Sequence, residues 1–68
     1  MNDRLKAHIN ALLLQRGSLY YLYQIHSYDG DINEADRDLK EIDEIDKEIQ
    51  RQLGVDDVNE WLAHRFGF

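Results

Sequence analysis

The sequence predicts an all-α protein: an antiparallel helical hairpin plus a short C-terminal helix, pairing with a second copy into a four-helix bundle. Three observations carry that expectation. Apolar residues recur at helical spacing across 32–53. A turn dipeptide, Asp29-Gly30, separates that stretch from a second amphipathic segment of similar length. Beyond Gly54 the apolar residues change face, which ends the second helix and starts a third.

The first helix is expected over about 3–27. Asn2 or Asp3 can cap it, and Leu5, Ile9, Leu12, Leu13, Leu19, Tyr20 and Tyr23 share a face. Gly17-Ser18 costs about 1 kcal/mol of helix propensity in its middle, but one continuous helix is expected. The second helix, about 33–53, has the clearest pattern. Ile32, Ala35, Leu39, Ile42, Ile45, Ile49 and Leu53 follow one another at three- or four-residue steps, with charges between them. Asp31 with Glu34 reads as a capping box at its start. If this helix ran on, Val58, Leu62 and Phe66 would lie roughly 140–220° from Leu53, at 100° per residue. A separate helix over about 58–65 instead puts Val58, Trp61, Leu62 and Phe66 on one side, with Asp57 and Glu60 as its capping box.

Two helices joined by a short turn lie antiparallel, so facing residues have sequence numbers with a constant sum. Ser27 then faces Ala35, Tyr23 faces Leu39, Tyr20 faces Ile42, Leu13 faces Ile49 and Ile9 faces Leu53. The same register sets Arg16 against Asp46, the charged anomalies of two otherwise apolar stripes. A charge at the centre of an apolar face is costly unless paired, so a structural Arg16–Asp46 ion pair is expected, at least partly buried. Ala7, Ala11, Leu14, Tyr21, Leu22 and Ile25 form a second apolar face on the first helix. A lone hairpin leaves it in water, and so large a patch marks an interface. A homodimer, first helix on first helix, covers it; a three-helix monomer is the alternative.

Length and composition bound the function. The 68 residues make one small domain, 1–68, with no cysteine and no proline. Disulfides and Cys-based zinc sites are excluded. The longest strictly apolar run is Ala11–Leu14, so neither a signal peptide nor a membrane span is expected, and a cytoplasmic location follows. The net charge is −6, from 14 acids and 8 bases. Residues 1–28 are mildly basic, whereas 29–54 carry ten acids against four bases. Phosphate contacts need basic residues, so the balance argues against nucleic acid as partner.

No catalytic constellation, metal site or cofactor is expected. His8, His26 and His64 share no ligand spacing, and only Ser18 and Ser27 offer hydroxyl nucleophiles. Taking Gly30 as position six of a calcium loop puts Asp29 at five and Asp36 at twelve, but Ile25 and Ser27 at one and three. The segment therefore reads as a turn with an N-cap. The partner-binding candidates are Tyr21, Tyr28, Trp61 and Phe66 as aromatic anchors, with Asp38, Glu41 and Glu48 from an acidic outer face on the second helix. Tyr20 and Tyr23 are assigned to the hairpin core.

In layout, with two long helices and an Asp-rich turn over residues 1–54, the chain resembles the Rop-type hairpin dimers of plasmid copy control. That resemblance implies RNA binding through the first helix, where the basic positions are Arg4, Lys6 and Arg16. Glu44-Ile45-Asp46-Lys47-Glu48-Ile49 is similar to the later part of the signature of the Spo0E-type hairpin phosphatases, with Ile42-Asp43 in place of its Ser-Gln pair. That resemblance implies dephosphorylation of a response regulator. The residues themselves favour a third reading: a small acidic, non-enzymatic module, of bacterial or phage type, that binds and modulates another protein with a basic surface.

Overall fold

The computed structural model describes residues 2–66, the last two by backbone alone. The chain forms three helices: α1 (Asp3–Tyr28), α2 (Ile32–Leu53) and α3 (Val58–Phe66). α1 and α2 pack as an antiparallel hairpin, and α3 folds back against the open end of it. The molecule measures 41 × 23 × 19 Å. Its long axis is set by α1, whose 26 residues span about 39 Å at 1.5 Å per residue. No helix among the described residues is long and apolar enough to cross a membrane.

The helix ends follow from local chemistry. Asn2 caps α1, its Oδ1 accepting from the Leu5 amide at 2.7 Å. α1 stops in a Schellman arrangement around Gly30, which adopts a left-handed φ of 77°. The Gly30 amide donates to the Ser27 carbonyl and the Asp31 amide to the His26 carbonyl, at 3.3 and 2.8 Å. This stop changes the expected start of α2. The Asp31 side chain accepts from the Glu34 amide at 3.5 Å. The return half of the capping box does not form, because the Asp31 amide is already used by His26. The Glu34 carboxylate turns to Arg37 instead, at 3.7 Å. Gly54 ends α2 with φ 69°. Asp57 caps α3 by accepting from the Asn59 and Glu60 amides at 2.9 and 3.2 Å, while the Glu60 carboxylate faces His64 at 4.0 Å.

α1 runs through Gly17 unbroken. A Cβ built there meets nothing within 4 Å, so the position demands no glycine. Gly17→Ala should therefore stabilise the protein by about 1 kcal/mol, by limiting the unfolded chain and raising helix propensity. A urea midpoint no higher than the parent's would contradict this.

The core is small and lies at the open end. Ile9, Ile49 and Val58, one from each helix, are buried together, with Leu5, Leu12, Leu13, Ile45, Leu53, Trp61 and Leu62 packed around them. Ala35 and Ile42 continue it toward the turn. The stripe thins there: Ile32 and Leu39 are exposed, although both fall on the expected core face. α3 does not reach that end, and Ile32 opens α2 just beyond the turn, where little of α1 is left to cover it. Tyr23 is half-buried, as a core position requires, but Tyr20 lies at the edge of the hairpin with a third of its surface in water.

Candidate functional site

Arg16 sits halfway along α1, on the face toward α2, and is only 8% exposed. Its Nε donates to Asp46 Oδ1 at 2.6 Å, as the register requires. Its Nη2 donates to Asn59 Oδ1 of α3 at 2.7 Å. Its guanidinium carbon lies 4.9 Å from the centre of the Tyr20 ring, close enough for a cation–π contact. One side chain thus ties together all three helices. The sequence indicates the Arg16–Asp46 pair but not Asn59, whose part depends on where α3 docks. Asp46 sits in the stretch that resembles the hairpin phosphatases, and this ion pair holds its carboxylate.

A second polar pair crosses the hairpin nearer the turn. His26 Nδ1 donates to Asp38 Oδ2 at 2.6 Å, and Asp38 is 5% exposed. This corrects the expectation that Asp38 belongs to the solvent-facing acids. It lies three residues after Ala35 and four before Ile42, both buried, so helical geometry turns it inward. No buried side-chain nitrogen or oxygen among the described residues lacks a partner.

The pair makes stability pH-dependent. The hydrogen bond to Asp38 raises the His26 pKa above its ordinary 6.5; partial desolvation opposes this, and the charges of Asp38, Asp31 and Glu34 add to the rise. A raised folded-state pKa means that the protonated pair contributes fully below the unfolded value and fades as pH climbs through the folded one. The melting temperature should therefore fall, as pH rises above the ordinary histidine value, more steeply in the parent than in His26→Gln. Equal slopes in the two proteins would show that the pair contributes nothing.

The remaining candidates divide between two surfaces. On the outer face of α1, Leu14 is 75% exposed, Tyr21 65% and Tyr28 94%, with Leu22 and Ile25 beside them. Ala7, Ala11, Leu14, Ser18, Tyr21, Ile25 and Tyr28 follow one another at alternating four- and three-residue steps. That is the seven-residue repeat of a helix that pairs with another helix. α3 leaves this stripe open, since it docks on the side of Arg16 and Leu13.

The other surface is a groove along the hairpin between α1 and α2, of about 720 Å³. Leu12, Leu14, Leu19 and Ile45 give it an apolar floor, Gln15 and Ser18 lie on the α1 side, and Glu41, Glu44 and Glu48 line the α2 side. Glu48 is held by Arg51 and by His8, the latter at 3.6 Å. Glu41 and Glu44 are in none of the salt bridges among the described residues; those within α2 use Glu34, Asp43 and Glu48, and those from α2 to α1 use Asp38, Asp46 and Glu48.

Of the aromatic anchors expected from sequence, Tyr21 and Tyr28 stand free on α1, but Trp61 is half-buried against the Ile9–Ile49–Val58 cluster. Trp61 is part of what seats α3, because a helix of nine residues needs most of its apolar side chains to stay docked. The Phe66 side chain lies outside the described residues. Nowhere among the described residues do three histidine, aspartate or glutamate side chains come together to hold a metal ion. In the turn, Asp31 is spent on capping α2.

No protein-family model, curated protein sequence or solved structure matches the chain.

Proposed function

We propose that this protein is a non-enzymatic interaction module that works as a homodimer, α1 against α1, and binds and modulates a protein with a basic surface. The observation that carries this reading is the apolar seven-residue repeat left open on the outer face of α1. Large side chains at those exposures present on the order of 700 Å², close to the ~800 Å² per partner of a stable interface.

Charge supports a second copy as the occupant. The chain carries −6 overall, yet the only acid within α1 is Asp3 at its start. Two α1 helices can therefore meet without acidic repulsion, and the acids of α2 remain outside to attract a basic partner. Shape supports an antiparallel arrangement. With the two-fold axis near Ser18, where the sequence numbers of facing residues sum to 35 or 36, Ala7 meets Tyr28 and Ala11 meets Ile25 of the other copy, small against large, while Leu14 packs on Tyr21. Parallel pairing would stack Tyr21 on Tyr21 and leave Ala7 against Ala7. Antiparallel helices also oppose their dipoles favourably.

Sedimentation at micromolar concentration tests the reading. A two-chain species is expected. A one-chain species over the whole accessible concentration range would overturn the dimer.

A further inference from the structure

We propose that the groove between α1 and α2, on the side away from the α3 dock, receives a basic amphipathic helix of the partner protein. This rests on the reading of the chain as an interaction module and names the chemistry of what it binds.

The groove has the features such a helix requires. Leu12 and Leu19 are two turns apart on α1, and Ile45 closes the floor from α2. An aliphatic trough of this length accepts side chains at i, i+3, i+4 and i+7 of a docked helix. Along one wall, Glu41, Glu44 and Glu48 sit at i, i+3 and i+7, spanning about 10 Å at 1.5 Å per residue. Glu48 is already held by Arg51 and His8, so lysines or arginines flanking the apolar face of the guest would meet Glu41 and Glu44. Glu41 and Glu44 are solvent-exposed, so docking adds charge partners without breaking an ion pair.

The same wall discriminates between occupants. A second copy placed face to face on this groove would set three glutamates against three, which like-charge repulsion opposes. The second copy therefore belongs on the outer face of α1, where it takes Leu14 and Ser18, and the part of the groove floored by Leu12, Leu19 and Ile45 is left for a cationic guest.

The test uses the full chain and three designed 18-residue peptides. All three have helical periodicity: one with leucines flanked by lysine and arginine, one with the same leucines flanked by glutamate, and one cationic but with its leucines scrambled. Binding is read from side-chain resonances of Leu12, Leu19 and Ile45. The expected result is saturable shifts at these three residues with the basic amphipathic peptide alone. Affinity should fall as salt rises, and should fall about tenfold in Glu41→Gln/Glu44→Gln, whose substitutions are exposed and leave the fold intact.

Equal binding of the acidic peptide would overturn the proposal, as would shifts confined to Tyr21 and Ile25, no shifts at all, or shifts in the groove that track protein concentration without peptide. The last would place a second copy there. Failure here with a two-chain species in sedimentation removes the groove and keeps the module. A one-chain species with no response to any peptide removes both.

Discussion

Asp46→Ala should leave much of the protein unfolded at 25 °C. Arg16 is the more buried of the pair, with its side chain 10% exposed against 24% for Asp46. Removing the carboxylate strands a guanidinium between three helices, with, among the described residues, only the neutral Asn59 and the Tyr20 ring to receive it. The cost of such an uncompensated charge is about 3 kcal/mol or more. A single core in a chain of this size rarely supplies more than about 3–5 kcal/mol in all, so one substitution removes most of the margin. The reverse change should be milder. Arg16→Met leaves Asp46 a quarter in water, where hydration can satisfy it. Replacing both charges, Arg16→Met with Asp46→Leu, should recover most of the loss, since a buried ion pair contributes little net stability over well-packed apolar groups. Urea denaturation of the three variants gives the order: the double variant and Arg16→Met near the parent, Asp46→Ala far below. An Asp46→Ala midpoint equal to the parent's would show that the pair is not needed.

That ion pair also marks how far the sequence alone leads. Arg16 and Asp46 are legible because each interrupts an apolar stripe, and the two interruptions fall at facing positions once the turn is placed on Asp31. The helix bounds are legible for a similar reason, since Asn2, Gly30, Gly54 and Asp57 each act at the position their backbone chemistry favours. Asp38 reads as exposed beside its acidic neighbours, although its spacing from Ala35 and Ile42 sets it in the buried stripe. His26 stands opposite, one turn short of the loop, so the signal for this pair was present. Asn59 is different. Its bond to Arg16 depends on the path of residues 54–57, and the sequence does not specify the angle at which α3 returns. The same path decides that Trp61 packs inward. The exposed repeat on α1 was visible as an apolar face, but its seven-residue step acquires meaning only when α3 is seen to dock elsewhere.

Leu14→Glu should convert the proposed dimer to folded monomers. Leu14 is three-quarters exposed in the single chain, so a charge there costs the monomer little, and circular dichroism should remain that of the parent. In the antiparallel seam each Leu14 meets Tyr21 of the other copy, and two-fold symmetry repeats the contact. One substitution thus removes two buried leucines, each contributing about 1.5–3 kcal/mol, and buries two carboxylates in their place. The dissociation constant should rise more than 100-fold, at about 1.4 kcal/mol for each factor of ten. Tyr21→Glu should act alike, whereas Glu41→Gln, away from the seam, should leave the dimer intact. The absence of cysteine allows the orientation to be read directly. Mixed chains carrying Ala7→Cys and Tyr28→Cys should cross-link to each other under mild oxidation, because the antiparallel register brings those positions together. Chains carrying only Leu14→Cys should cross-link poorly, since Leu14 lies beside its own counterpart only if the helices run parallel. Efficient Leu14→Cys cross-linking would replace the antiparallel seam with a parallel one, and a dimer undisturbed by Leu14→Glu would move the contact off this face altogether.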